Sequence, residues 1–174
     1  MKYDLKTILS SVSTFKKNSD KSKQVQKRLL YDQAPIGGLS IKYFWAIFIA
    51  MPFIEYACIF NPVIFPMLGI AQAIVFFIVF LSIVMILIFA LYSFNNRVVI
   101  DGITPVWETY FPDIDVKLIL TSSHSPYGDF FKAYSYIAGD DLSDKELHEK
   151  MMDAVKKMEE ENKDLLEAMN RSKS

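Results

Sequence analysis

The residues best suited to chemistry are few and widely separated. Ser123-His124-Ser125 sets a hydroxyl nucleophile beside a general base, the two parts of an acyl-transfer site. Adjacency in sequence is a weak signal for such a site, because triads are assembled by fold geometry. Asp140-Asp141 with Asp144 could offer carboxylate oxygens to a divalent cation, but this Asp/Ser-rich run reads better as a turn and a helix cap. His124 and His148 are the only two histidines, with no Cys or acidic residue at ligand spacing, so no metal site is predicted. The chain has no phosphate-binding Gly loop, no G-x-S-x-G elbow and no H-E-x-x-H pair. These readings predict no enzyme, with no catalytic residue and no cofactor.

One ionisable residue stands apart. Glu55 interrupts a long apolar stretch, and from Tyr56 to Asn96 no charged residue follows it. Such a run marks membrane-spanning helix, and an acid inside it is costly enough to need a partner. At about 1.5 Å per residue the run would reach roughly 60 Å, twice the thickness of a bilayer core. Asn61-Pro62 is a turn signal, and Pro66 suits the first turn of a new helix. The pattern predicts a transmembrane hairpin over residues 39–95, with spans at about 41–60 and 66–94 and a tight loop at 61–65.

The spans are unequal. Eighteen Ile, Leu, Phe and Val residues lie between Met67 and Phe94, against nine in the first span. On an insertion scale these contribute roughly −5 to −11 and −3 to −5 kcal/mol, and Glu55 could cancel most of the smaller figure. The first helix therefore inserts as half of a hairpin, and the second is long enough to extend beyond the bilayer as a stalk. Counting from the loop puts Glu55 and Gln72 at similar depth, and the expectation is a Glu55 that is protonated or near the interface and shares a hydrogen bond with Gln72 or Tyr56. An ion or proton path is the alternative role for Glu55, though two helices hold few other polar groups. Ala46, Ala50 and Ala57 form a small-residue stripe, and Gly69 and Ala73 a small-xxx-small pair, the spacing that lets helices approach closely. Glu55 lies roughly 140° around the helix from Ala50, so one neighbour does not easily cover both faces, even with a kink at Pro52.

Charge orients the hairpin. Residues 1–40 carry eight Lys/Arg against three Asp, a net of +5, and residues 94–174 carry ten against sixteen acids, a net of −6. Lys16, Lys17, Lys21, Lys23, Lys27, Arg28 and Lys42 precede the first span, Arg97 follows the second, and the loop has no basic residue. Both termini are therefore expected in the cytoplasm of a multi-pass cell-membrane protein, with the bacterial inner membrane as the default. That side excludes glycosylation at Asn170-Arg171-Ser172. A cleaved signal peptide is not expected, because the apolar run begins behind a long polar segment. One cysteine, Cys58, rules out an intramolecular disulfide.

Residues 1–38 read as a basic cytoplasmic segment. Leu5, Ile8, Leu9, Val12 and Phe15 share a helical face, predicting a helix on anionic lipid, the alternative being packing on the protein's own soluble part. The basic linker that follows lacks the aromatics or fold of a nucleic-acid site. Residues 96–174 form a cytoplasmic region of α or α+β type. Asp101-Gly102 predicts a strand hairpin weakened by Pro105, and Val116–Leu120 a further strand. Ser125-Pro126 starts a helix that Gly139 closes, and Ser143-x-x-Glu146 caps a long amphipathic helix running to about Met169. Its stripe of Leu147, Met151, Met158 and Leu165 suits an adaptable protein contact or packing on its own domain.

The expected protein is mainly α: a two-helix transmembrane hairpin with a small cytoplasmic region ending in an amphipathic helix. In outline this plan resembles small two-helix subunits of bacterial secretion and conjugation machines, by architecture alone and without a shared motif. The expected function is a non-enzymatic membrane subunit anchoring a larger transport or secretion complex. Its partners would be the lipid bilayer and other subunits, or further copies of itself. A self-assembling, holin-like pore and a membrane enzyme are the alternatives.

Overall fold

Helix dominates the chain, and one helix runs through both of its regions. The structure, a computed structural model, describes residues 3–17, 23–121, 125–138 and 142–171. Lys21, Ser123-His124, Gly139, Asp140-Asp141 and Ser172 lie outside the described residues. In order come α1 (Leu5–Val12), β1 (Ser13–Lys17), β2 (Lys23–Lys27), a 3-10 turn at Ala34–Ile36, α2 (Ile41–Ile59) and α3 (Ile64–Tyr110). Then follow α4 (Val116–Leu120), α5 (Phe130–Ile137), α6 (Asp144–Glu161) and α7 (Lys163–Arg171).

α2 and α3 are each long and apolar enough to cross a membrane, and nearly all their side chains in that stretch face outward. The turn between them is set by Asn61. Its Oδ1 accepts from the Val63 and Ile64 amides at 2.9 and 2.8 Å, and its Nδ2 donates to the Cys58 carbonyl at 2.6 Å. Those contacts cap the start of α3, a local Asx solution to its orphan amides. The helix is interrupted once, at Gly69 (φ 71°, ψ 168°), a backbone region open essentially to glycine alone.

Beyond Gly69, α3 continues without a break to Tyr110. This overturns the strand hairpin expected at Asp101-Gly102. Val99, Ile103 and Trp107, at helical spacing, are all buried in the core, and that burial outweighs a two-residue turn signal. Gly102 instead permits close approach: a Cβ there would lie 3.3 Å from Ile36 Cδ1. Pro105 is tolerated because it sits on an exposed face of the helix. Val116–Leu120 is likewise a short helix rather than a strand, capped by Asp115 accepting from the Lys117 amide at 2.8 Å.

The core is assembled from both flanks of the hairpin. Leu5, Ile8, Leu9 and Val12 of α1, Val25 of β2, the end of α3, and α4, α5 and α6 join one hydrophobic cluster. The face of α1 expected on lipid is thus spent on the protein's own core. Phe15, expected on that same helical face, lies instead on β1, because Ser13 turns extended (φ −131°, ψ 162°) and ends the helix. Part of the expected basic linker is a β-ribbon, with Phe15 opposite Val25. Ser135 fastens it: its Oγ accepts from the Val25 amide at 2.5 Å and donates to the Val25 carbonyl at 3.3 Å.

At the centre, Trp107 stacks on Phe111 (4.4 Å between centroids) and donates from Nε1 to the Ile114 carbonyl at 2.7 Å. His148 serves the end of α3, its Nε2 2.8 Å from the Tyr110 carbonyl oxygen. The terminal helix breaks at Asn162, whose Nδ2 donates to the Met158 and Pro126 carbonyls at 2.8 and 3.2 Å. Leu147, Met151 and Met158, the stripe expected either to meet a partner or to pack on its own domain, are buried in the same core. Only Leu165, on α7, remains exposed among the four.

Candidate functional site

The hairpin and the core meet at a polar clamp. Asn96, the last uncharged residue of the apolar run, donates from Nδ2 to the Leu29 carbonyl and accepts at Oδ1 from the Tyr31 amide, both at 2.9 Å. Asn95 donates to the Tyr31 carbonyl at 2.9 Å and accepts from Gln33 Nε2 at 2.7 Å. The loop entering α2 is thereby fixed to α3. Asp32 extends the joint, its Oδ1 accepting from the Ala34 and Ile41 amides at 3.1 and 3.2 Å. Burial, and secondarily Tyr92, push the Tyr31 hydroxyl up to about 12. Sequence reasoning missed this clamp. Its one visible signal was a pair of amides exactly where the apolar run gives way to Arg97, which is a place for anchoring as well as for ending a span.

Glu55 occupies the middle of the hairpin. It is 8% exposed, and neither carboxylate oxygen has a hydrogen-bond partner among the described residues. Beside it lies a cavity of about 210 Å³ lined by Met51, Ile54, Cys58, Ile59, Phe80 and Val84. The contact expected with Gln72 is absent. Phe60 lies beside Phe77 (6.2 Å), and Glu55 shares its cavity with Phe80 and Val84. The connection explains the offset: it consumes a helical turn and the Gly69 break before the long helix begins, so Gln72 stays beyond Glu55 and exposed.

The small residues are divided. Ala73 is fully buried against the hairpin's own packing, whereas Ala46, Ala57 and Gly69 are exposed and Ala50 is half-buried. Nearer the clamp, a second cavity of about 300 Å³ is walled by Leu29, Leu30, Phe44, Trp45, Phe48, Met85, Ile88, Phe89 and Tyr92. Its lining is almost wholly apolar.

In the core, Asp144 joins three helices. Its Oδ1 accepts from the Leu5 amide at 2.8 Å and the Lys6 amide at 3.4 Å, and its Oδ2 from the Tyr110 hydroxyl at 2.5 Å. Burial first, and then the bond to Asp144, push Tyr110 up to about 12. Tyr127 is raised for the same kinds of reason, burial and its 2.8 Å bond to Glu159. Among the described residues, no group of three or more His, Cys, Asp or Glu side chains is gathered as a metal site requires.

These features define a class by architecture: a mainly helical protein with two helices long and apolar enough to cross a membrane, built onto a small core with one strand pair. Compared with protein-family models, curated proteins and solved structures, the chain matches none of them.

Proposed function

We propose that this chain is a non-enzymatic integral membrane subunit that anchors and scaffolds a larger membrane complex of transport or secretion type. Its hairpin sits in the bilayer of the cell membrane, and both flanks lie on the cytoplasmic side. The observation that carries the reading is the continuity of α3. The same helix presents Ile74, Phe80, Ile86 and Phe94 outward and then buries Val99, Ile103 and Trp107 in the core. An outward apolar surface of that extent belongs in lipid or against other spanning helices. Residues before and after the hairpin share one core, which favours a single side for both. Arg28, Lys42 and Arg97 at the hairpin's base favour the cytoplasm.

The test is to tag the C-terminus, extract native membranes in mild detergent, and determine the mass and composition of what is released. Foreign subunits in fixed stoichiometry support the anchor. A homo-oligomer that makes liposomes leak dye would replace it with a pore, and a lone monomer would refute both.

A further inference from the structure

The β-ribbon leaves one edge open. The Arg28 amide donates to the Val12 carbonyl at 2.7 Å, and with Thr14 opposite Gln26 this fixes which residues bond across the ribbon. Alternation in an antiparallel pair then turns the Thr14 and Lys16 backbone groups toward β2, and those of Ser13, Phe15 and Lys17 away from it. The outer edge of β2 is closed at its centre, because Ser135 serves both backbone groups of Val25. On β1, Ser13 is served as well: its amide donates to the Leu9 carbonyl, and its carbonyl accepts from Arg28 Nε at 2.8 Å. Phe15 differs. Neither its N–H nor its C=O has a hydrogen-bond partner among the described residues, and its side chain is 52% exposed.

The two faces at that edge are unlike. Phe15 lines a cavity of about 260 Å³ together with Tyr134, Ile137 and Leu147. Side chains alternate along a strand, so Thr14 and Lys16 project from the opposite face, and both are exposed there, as are Gln24 and Gln26. A strand added beside β1 would set one row of side chains next to the cavity and the other row next to Lys16. The two strands hold four lysines and no acid, so the complementary charge is negative. We propose that β1 receives an extended segment of a different subunit, alternating apolar and acidic residues, as a third strand of the ribbon. This rests on the anchor reading and names a surface on which its partner docks. A second copy is a poor occupant, because pairing β1 with β1 joins two lysine-rich ribbons that carry no acid. A lipid surface answers the charge but offers Phe15 no ladder of alternating donors and acceptors.

The test uses the purified full chain in detergent and a fluorescein-labelled short peptide of alternating Glu and Val, with binding read by anisotropy. Hydrogen exchange at the Phe15 amide is followed by NMR on the same samples. The peptide is expected to bind and to slow that exchange roughly tenfold. Lys16→Glu should weaken binding roughly tenfold while far-UV circular dichroism stays unchanged. Two further peptides are N-methylated, one at every Val and one at every Glu. Only one edge of the peptide faces β1, so one of them should lose binding and the other keep it. Equal binding by both would overturn the strand site. Protection of Phe15 by added phosphatidylglycerol but not by the peptide would overturn it in favour of a lipid surface. Protection that rises with chain concentration alone would overturn it in favour of a second copy. A peptide that fails to bind, while foreign subunits co-purify from native membranes, would overturn the strand site and leave the anchor standing. Absence of any foreign subunit would overturn both readings.

Discussion

Asp144→Ala should loosen the joint on which the shared core depends, by an amount the geometry sets. The Leu5 amide bond, at 2.8 Å to the Asp144 Oδ1, is a helix-capping contact of about 1–2 kcal/mol. The Lys6 bond is long at 3.4 Å and exposed, and adds little. The Tyr110 bond, at 2.5 Å and only partly buried, contributes about 1–2 kcal/mol. Asp144→Ala is therefore expected to cost about 2–4 kcal/mol, Tyr110→Phe about 1–2, and the double variant less than their sum by about 1 kcal/mol. Denaturant unfolding of the full chain in detergent measures this, with tryptophan fluorescence as the signal. Trp107 reports the core because it is 1% exposed and stacked on Phe111, whereas Trp45 lies in the hairpin and supplies a separate baseline. Hydrogen exchange adds a local reading: the first amides of α1 should exchange faster in Asp144→Ala than in Tyr110→Phe. Strict additivity of the two substitutions, or unchanged exchange at Leu5, would refute the joint.

Other consequences can be measured on the same material. Leu9→Ala should cost about 2–5 kcal/mol in the core transition and leave liposome attachment intact, because Leu9 is fully packed; a loss of lipid binding with unchanged stability would restore the lipid-surface role for α1. Gly69→Ala should cost about 1–3 kcal/mol through backbone strain at φ 71°. A Cβ there would meet only Gln72 Oε1, at 3.5 Å, so space is not the obstacle, and a thermal melt followed by circular dichroism that matches wild type would contradict the strained backbone. Tyr31 and Tyr110 are raised from 10.0 to about 12 by burial first. Their stabilisation should be complete below pH 10 and lost as pH rises toward 12, since the unfolded chain ionises first. Equilibrium unfolding across that window checks it, and a flat profile would argue against the buried hydroxyls. Asp4 is lowered from 3.8, chiefly by its hydrogen bond to Thr7, so its contribution should hold above that value and disappear as pH falls through its lowered folded-state pKa.

The apolar helices were legible in sequence because their signal is local: a long uncharged run broken by Asn61-Pro62. The destination of α1 was not. Leu5, Ile8, Leu9 and Val12 announce an amphipathic helix, but an amphipathic stripe does not say what covers it. The covering surface comes from positions as distant as Asp144, which bonds the Leu5 amide across 139 residues of sequence. The stretch after Asn96 was misread for a different reason. Asp101-Gly102 is a two-residue signal, while Val99, Ile103 and Trp107 keep helical spacing over a longer window, and the longer pattern prevailed. The β-ribbon was hidden by its composition. Four Lys and two Gln make up most of the two strands, and among their apolar residues Val25 is buried while Phe15 is 52% exposed. For the site, Glu55 was conspicuous as a lone acid, but its neighbour depended on register. No residue type announces that a helical turn and a glycine break will be inserted before the long helix begins.

The layout of α3 links the two halves physically. Val84 lines the Glu55 cavity and Trp107 anchors the core, roughly 35 Å apart on one helix with no non-helical residue between them. The loop that feeds α2 is held to that helix at Asn95 and Asn96. Four side-chain hydrogen bonds therefore join the long helix to the loop feeding α2 on the core side of the apolar run. At the other end the connection is held locally, by the three hydrogen bonds of Asn61 and by Phe60 against Tyr56, Phe65 and Phe77.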